Sequence, residues 1–333
     1  NVVHSTDGNV SIAENVRPFF GSRRSARLNN GELVRKRNVE LLLGYKYFVG
    51  FRERYNNFRQ ELKLSDGYVE ISSRQSTKSK ELNTRIKLWV EIHRPIVHMD
   101  IEADADLEVE ASYESWRAED RELLDVPDGS RERFTCFNLE GYPGKVMRIK
   151  DEIAFSDGGV LFYHRTPDVK LVPEVQIKQQ GMEAYAHEIF DDLKDRTFGG
   201  LLLGKGFVQS GTGEGKYQIT PYHSWKIKSS KAGKKHHLAL VTHIDQSEAL
   251  EDWKGQLNEL AAQAFNDREK SLERTVAWWH RFWERSYICI YPESPDPSDP
   301  VWQMGRNYQL FRYQLGGNTY GEYPSKFNGG NLI

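Results

Sequence analysis

The sequence predicts a mainly β fold: a large antiparallel β-sandwich over residues 1 to about 245, with helices after it. Two observations carry this. From Leu62 to Tyr113 apolar and polar residues alternate with a period of two, as in strands with one buried and one wet face. After Ser247 the period becomes three to four, as in amphipathic helices. Strands followed by helices indicate separate β and α regions.

Residues 1–60 give the weakest pattern. Arg17, Arg23, Arg24, Arg27, Arg35 and Arg37 crowd a segment of Gly and Asn turns, and Leu41–Leu43 and Tyr45–Phe51 read as short buried strands. The Asp66-Gly67 turn opens a strand at Tyr68–Ile71. Ile86, Leu88, Val90 and Ile92 alternate with Lys87, Trp89 and Glu91, and Val97, Met99 and Ile101 alternate with His98 and Asp100. The His93-Arg94-Pro95 break between them predicts a hairpin. Leu107, Val109, Ala111 and Tyr113 continue the pattern.

Trp116 to Asp125 reads as a charged, helical excursion, with turns at Asp128-Gly129 and Tyr142-Pro143-Gly144. Strands are expected at Val146–Ile149, Gly159–Tyr163, Phe198–Val208, Lys216–Lys228 and His237–Ile244. Leu171–Ile177 fits an edge strand, because Pro173 cannot donate to a ladder. A helix begins near Ser247, a good N-cap, and carries Leu250, Trp253, Leu257, Leu260, Ala261 and Ala264. Asp267 can cap a second helix with Leu272, Val276, Trp279, Phe282 and Trp283 on one face. Tyr287–Tyr291 reads as a short strand, a proline-rich spacer follows, and Trp302–Leu315 starts a third helix. The expected organisation is a β-domain over 1–245, a linker over 246–300 and the start of a helical domain over 301–333.

Composition excludes several functions. The net charge of −2 gives no global field toward nucleic acid, and no apolar run is long enough to span a bilayer. Two cysteines, Cys136 and Cys289, exclude a disulfide scaffold and a cysteine-based zinc site. One disulfide or two buried thiols both fit, and the thiols are the commoner state. No cofactor motif is present. The same-parity acids Asp100, Glu102, Asp104, Asp106, Glu108 and Glu110 read as a solvated strand face rather than a calcium loop. His237 and His243 share a parity, but six residues of strand, about 20 Å, separate them, so one ion cannot join them. Lys226, Lys228, Lys231, Lys234 and Lys235 read as an exposed hairpin tip. Gly199-Gly200 and Gly204-Lys205-Gly206 lack the order of a phosphate loop and read as bulges or turns.

The terminal segment differs. Tyr320, Tyr323 and Phe327 stand among Glu322, Lys326 and Asn328 in a Gly-rich stretch. Rings for stacking beside polar side chains suit a sugar subsite, and they equally suit a domain-joining loop. Tyr320, Glu322, Tyr323, Lys326 and Asn328 are the candidate substrate-binding residues, with no catalytic residue and no metal ligand assigned. Glycoside hydrolysis needs two facing carboxyl groups, and Glu322 is the one carboxylate side chain from Val301 onward.

The run Trp278-Trp279-His280-Arg281-Phe282-Trp283-Glu284-Arg285, the proline spacer, Gly305–Leu315 and Gly321–Gly330 resemble polysaccharide-utilisation proteins of unknown function from Bacteroides-like gut bacteria and some fungi. Gln179-Gln180-Gly181 and Asp195–Gly200 add to the likeness. Their layout resembles that of the family 95 glycoside hydrolases, the α-L-fucosidases and relatives. That resemblance implies a β-supersandwich, a helical linker and an (α/α)6 barrel, here truncated. It implies about 300 further helical residues, the size of a large helical domain, packed on the β-domain. It also implies a carbohydrate substrate, hydrolysis with inversion, and a secreted or periplasmic location. The fragment by itself is expected to be inactive. A non-catalytic carbohydrate-binding or structural β-module is the alternative.

Overall fold

A computed structural model describes residues 2–4, 55–76, 81–123, 145–166, 171–217, 220–288, 290, 296 and 298–320. The early arginine cluster, the strands expected between Leu41 and Phe51, the turns at 128–129 and 142–144, and both cysteines lie outside these residues. The fold is mainly β, with antiparallel strand pairs and helices concentrated toward the C-terminus. The chain forms two compact units, Asn1–Leu107 with Ala232–Leu238 and Gln263–Ile333, and Glu108–Lys231 with Ala239–Ala262.

In the first unit the strands are β1 (Val2–His4), β2 (Tyr55–Lys63), β3 (Tyr68–Ser76), β4 (Glu81–Val90) and β5 (Ile96–Leu107), with the first residues of β14 (Gly233–Gln246). They pair in that order. Register explains the two-residue period. Val69, Leu88 and Met99 form one cross-strand row, and Ile71, Ile86 and Ile101 form another on the same face. The rows between them, Glu70–Lys87–Asp100 and Ser72–Arg85–Glu102, place polar side chains on the opposite face. The hairpin expected at His93–Pro95 joins β4 to β5.

Helix α3 (Arg268–Arg285) packs against the strand connections of this unit. Trp283 Nε1 donates to the Leu64 carbonyl at 2.5 Å, and His280 Nε2 lies 2.8 Å from Asp66 Oδ1. Gly67 is obligatory here. Its φ is +74°, and a Cβ would sit 2.0 Å from the Trp279 indole. Helix α4 (Pro300–Gly317) is capped by Asp299, whose side chain accepts from Val301 N, with Pro300 at the first helical position.

The second unit is a sandwich in its own right. One sheet is β12 (Phe207–Tyr217), β13 (Thr220–Ser229) and β6 (Glu110–Ser115). The other is the rest of β14, β11 (Arg196–Gly204), β10 (Gly159–Arg165) and β9 (Glu152–Ser156). Tyr113 of β6 stacks on Phe162 of β10 at 3.9 Å, joining the two layers. Tyr163, one residue on and so on the other face, meets Trp253 of α2 (Leu250–Asn266) at 5.6 Å. Trp253, Leu257 and Ala264 are fully buried along α2. A short ladder of β7 (Arg121–Glu122) and β8 (Met147–Arg148) completes the strands.

Several local expectations are corrected. Leu171–Gln179 is helix α1, not an edge strand. Pro173 sits in its first turn, where its missing N–H costs no intrahelical bond. No helix occupies the described part of Trp116–Asp125, where Arg121–Glu122 pairs with β8 instead. The expected strand at Tyr287–Tyr291 is absent from its described residues, Tyr287, Ile288 and Ile290. Phe198–Val208 is split by the Lys205-Gly206 turn into the end of β11 and the start of β12. Ser247 is not the N-cap of α2, which begins at Leu250; its hydroxyl donates to Asp245.

Candidate functional site

The expected sugar subsite falls mostly on Glu322, Tyr323, Lys326 and Asn328, which lie outside the described residues. Tyr320 is described. It follows α4, and its ring is about half exposed. Its hydroxyl accepts from Trp278 Nε1 at 3.0 Å, and its ring meets His93 edge-on at 4.8 Å. Trp278 itself is 8% exposed, stacked on Phe282 at 5.3 Å and edge-on to Trp279 at 4.9 Å. The Tyr320 ring is therefore held from behind by a buried indole, with part of its surface open. A ring so fixed can stack on the apolar face of a sugar at little entropic cost.

The same aromatic cluster fastens α4. Tyr313 stacks on Trp279 at 4.7 Å, and the Arg312 guanidinium lies 4.9 Å from the Phe282 ring and 5.0 Å from the Trp283 ring. Gly316 is buried, and a Cβ there would meet Trp279 at 2.9 Å. Beside this packed face α4 carries Val301, Met304, Tyr308, Phe311 and Leu315, spaced three and four residues apart. All but Tyr308 are exposed, Met304 by 65%. That spacing is the seam of a helix that packs on another helix.

Sequence reasoning missed the seat of α3. Of the face expected to carry Leu272, Val276, Trp279, Phe282 and Trp283, Trp279 is buried; the other buried residues are Ser271, Thr275 and Trp278. Ser271 and Thr275 meet the polar β4–β5 connection. Ile92 N donates to Thr275 Oγ1 at 3.3 Å, and Arg94 Nη2 donates to Ser271 Oγ at 2.5 Å. Arg94 also reaches Gln263 Oε1 at 2.9 Å and Glu91 Oε2 at 2.5 Å. Glu91 Oε1 lies 2.9 Å from His98 Nε2, and His98 Nδ1 lies 3.0 Å from His237 Nε2. Asp100, read as part of a solvated face, is pinned here: it accepts from Trp89 Nε1 at 3.1 Å and from Arg268 Nε at 3.0 Å. Glu102, Asp104, Asp106 and Glu108 are exposed as expected.

The buried carboxylates are tuned toward the charged form. Burial pushes Glu91 up, but hydrogen bonds with His98 and Arg94 outweigh it and hold the carboxyl below its ordinary value. In the second unit burial likewise raises Asp151, and His164, Arg117 and Ser115 overcome it. Arg117 Nη2 lies 2.8 Å from Asp151 Oδ1, His164 Nδ1 lies 3.3 Å away, and Ser115 Oγ donates to Oδ2 at 2.9 Å. Both clusters hold a carboxylate ionised. A general acid needs the opposite.

Other candidates are structural. A trough of about 540 Å³ crosses β3–β5, but its walls bond one another: Arg74 Nε donates to Asn83 Oδ1 at 3.0 Å, and Asn83 Nδ2 donates to Asp104 Oδ2 at 2.7 Å. His236 bonds the Leu107 carbonyl at 2.9 Å, and His243 bonds Gln256 Oε1 at 2.8 Å. Among the described residues no group of three or more His, Cys, Asp and Glu is placed to hold a metal. Among them no helix is long and apolar enough to cross a membrane.

The model of a domain of unknown function, DUF5703, N-terminal part, matches residues 29–288. The chain belongs to this family. The match takes in β2 to β14 and the helices α1, α2 and α3. No curated protein matches the chain. Among solved structures, one described as "Putative kojibiose phosphorylase from human microbiome" aligns with 79% of this chain at 11% identity and a TM-score of 0.39. The chain spans 28% of the length of that structure.

Proposed function

We propose that this DUF5703 chain is the β-domain and helical linker of a larger carbohydrate-active enzyme, of the glycoside hydrolase class, whose catalytic carboxyl groups lie in a helical domain packed on α4. The observation that carries this reading is the stripe of exposed Val301, Met304, Phe311 and Leu315, with half-buried Tyr308 among them, beside a face already packed on α3. An apolar seam at this spacing calls for a further helix. The likeness of residues 179–333 to polysaccharide-utilisation proteins supplies the substrate class. The carboxylates support a non-catalytic role for this part. Every described carboxyl group with a displaced pKa, Glu91, Asp151, Asp245, Asp267 and Asp296, sits below its ordinary value. None is thereby suited to donate a proton to a glycosidic oxygen at neutral pH.

The test compares residues 1–333 with a longer protein that continues past Ile333, on a panel of plant and microbial polysaccharides. The longer protein is expected to release sugar and residues 1–333 to release none. Met304→Glu with Phe311→Glu in the longer protein should lower release at least tenfold, without changing the melting temperature of residues 1–333. Release by residues 1–333 alone, or full activity of the double variant, would refute the reading. A second reading, a carbohydrate-binding module, is favoured by the fixed and open ring of Tyr320. Glycan binding to residues 1–333 that Tyr320→Ala abolishes would support it.

A further inference from the structure

A largely buried polar line runs through the first unit, Arg94–Glu91–His98–His237, with Asp100 and Arg268 at its end. His98 is 0% exposed and Glu91 6%. The His98 ring stacks on Trp89 at 4.0 Å, and His237 meets Phe265 of α2 edge-on at 5.1 Å. These contacts leave one consistent proton arrangement for neutral rings. His98 Nε2 faces the Glu91 carboxylate and so carries a hydrogen. Its Nδ1 is then an acceptor, and His237 Nε2 donates to it.

The charges in this seat balance. Glu91 faces Arg94, and Asp100 faces Arg268, the first residue of α3. Asp267 at the start of α3 is met by Arg274 at 2.5 Å and by Arg94 at 3.7 Å. On β14 itself, Lys235 lies 3.1 Å from Glu102. Lys87, opposite Asp100 in the ladder, reaches over the Tyr68 ring. With both imidazoles neutral, each of these carboxylates already has its cation, and none is left to meet a further proton. A proton on His237 adds an uncompensated cation in a largely desolvated seat, next to Arg268. His237 Nε2 already lies 3.9 Å from Asp100 Oδ1, the oxygen that Arg268 holds at 2.5 Å. An imidazolium there competes with Arg268 for one carboxylate.

We propose that His237 is the trigger of an acid-sensitive latch: neutral, it lets Arg268 and Arg94 seat the start of α3 on the strand connections, and on taking up a proton it releases that seat. Geometry sets the device and titration agrees with it. Burial pushes the His237 imidazole down to about 4; Asp100 pulls it the other way, and Arg268 and His98 add to the burial. The unfolded or released chain therefore binds the proton more readily than the closed one. The hold is complete above about pH 6.5, the ordinary value, and is lost as the pH falls through about 4. Since α3 also carries Trp278, Trp279 and Phe282, release would loosen the aromatic seat of Tyr320 and α4. The device does not depend on the chain acting on carbohydrate.

The experiment uses residues 1–333 and hydrogen exchange, corrected for the intrinsic pH dependence of exchange, between pH 7 and 3.5. Amides of Arg268–Arg285 should lose protection at a higher pH than those of β10 and β11. Replacing His237→Gln, which keeps a donor toward His98 but takes up no proton, should move that loss down by at least one pH unit. Equal midpoints in the two proteins, or simultaneous loss throughout the chain, would overturn the latch. Should the Gln variant be unfolded at pH 7 by circular dichroism, NMR titration of the His237 ring in the unmodified protein decides. Ring protonation without loss of α3 protection also overturns it, and loss in step with protonation supports it.

Discussion

Trp278 Nε1 donates to the Tyr320 hydroxyl at 3.0 Å, so a residue in α3 fixes a ring that follows α4. The bond joins two segments 42 residues apart in the sequence. Replacing Tyr320→Phe keeps the ring and removes the acceptor of a largely buried N–H. The expected loss is about 1 kcal/mol of stability in urea denaturation. If a sugar stacks on this ring, Tyr320→Phe should retain most of the affinity and Tyr320→Ala should lose about tenfold. Isothermal titration with the bound glycan checks both.

Gly67 and Gly181 both have left-handed backbones, with φ of +74° and +65°. A Cβ at Gly181 meets nothing within 4 Å, whereas at Gly67 it collides with the Trp279 ring. Gly181→Ala should cost about 1 kcal/mol, the backbone strain alone. Gly67→Ala should cost about 3 kcal/mol or more, because the indole must also move. Equal melting temperatures for the two variants would disprove the close contact.

Trp253 is fully buried between Tyr163 and His243, and its Nε1 has no hydrogen-bond partner among the described residues. Trp253→Ala should cost about 3–5 kcal/mol through the cavity it leaves. Trp253→Phe should cost far less, since it leaves a smaller void and removes an unsatisfied donor. Chemical denaturation followed by fluorescence of the remaining tryptophans would measure both.

The Asp151 carboxyl is held below its ordinary value of 3.8, so the unfolded chain binds its proton more readily than the folded one. Its contribution is full above that value and disappears as the pH falls through the lowered one. Asp151→Asn should therefore be less stable than the parent at pH 7, and the gap should narrow toward pH 2. A gap that stays constant from pH 7 to 2 would show that the carboxylate charge is not what Arg117 and His164 hold.

Much of the architecture was legible in local pattern. The alternation through Val69–Ile71, Ile86–Leu88 and Met99–Ile101 predicted strands because cross-strand rows repeat every two residues, and β3, β4 and β5 pair in that register. Leu250, Trp253 and Leu257 predicted α2, because one face of that helix is buried against apolar side chains. Pattern failed where the partner surface is polar. Ser271 and Thr275 carry no apolar signal, yet they are buried on α3 with Trp278 and Trp279, because they meet Arg94 and the Ile92 amide. It failed also at Leu171–Gln179, where a proline that fits the first turn of a helix fits an edge strand as well.

The sequence by itself determined the change from strands to helices near residue 247 and the aromatic character of the segment around Tyr320. These depend on periodicity and composition, which neighbouring residues carry. Only the tertiary structure decided that Asp100 belongs to a buried seat rather than a wet face, that His98 joins Glu91 to His237, and that Val301, Met304, Phe311 and Leu315 of α4 are exposed. Those facts depend on groups brought together from Glu91, Asp100, His237 and Arg268. Distant residues acquire a shared environment, and with it their charge and their role, when the chain has folded.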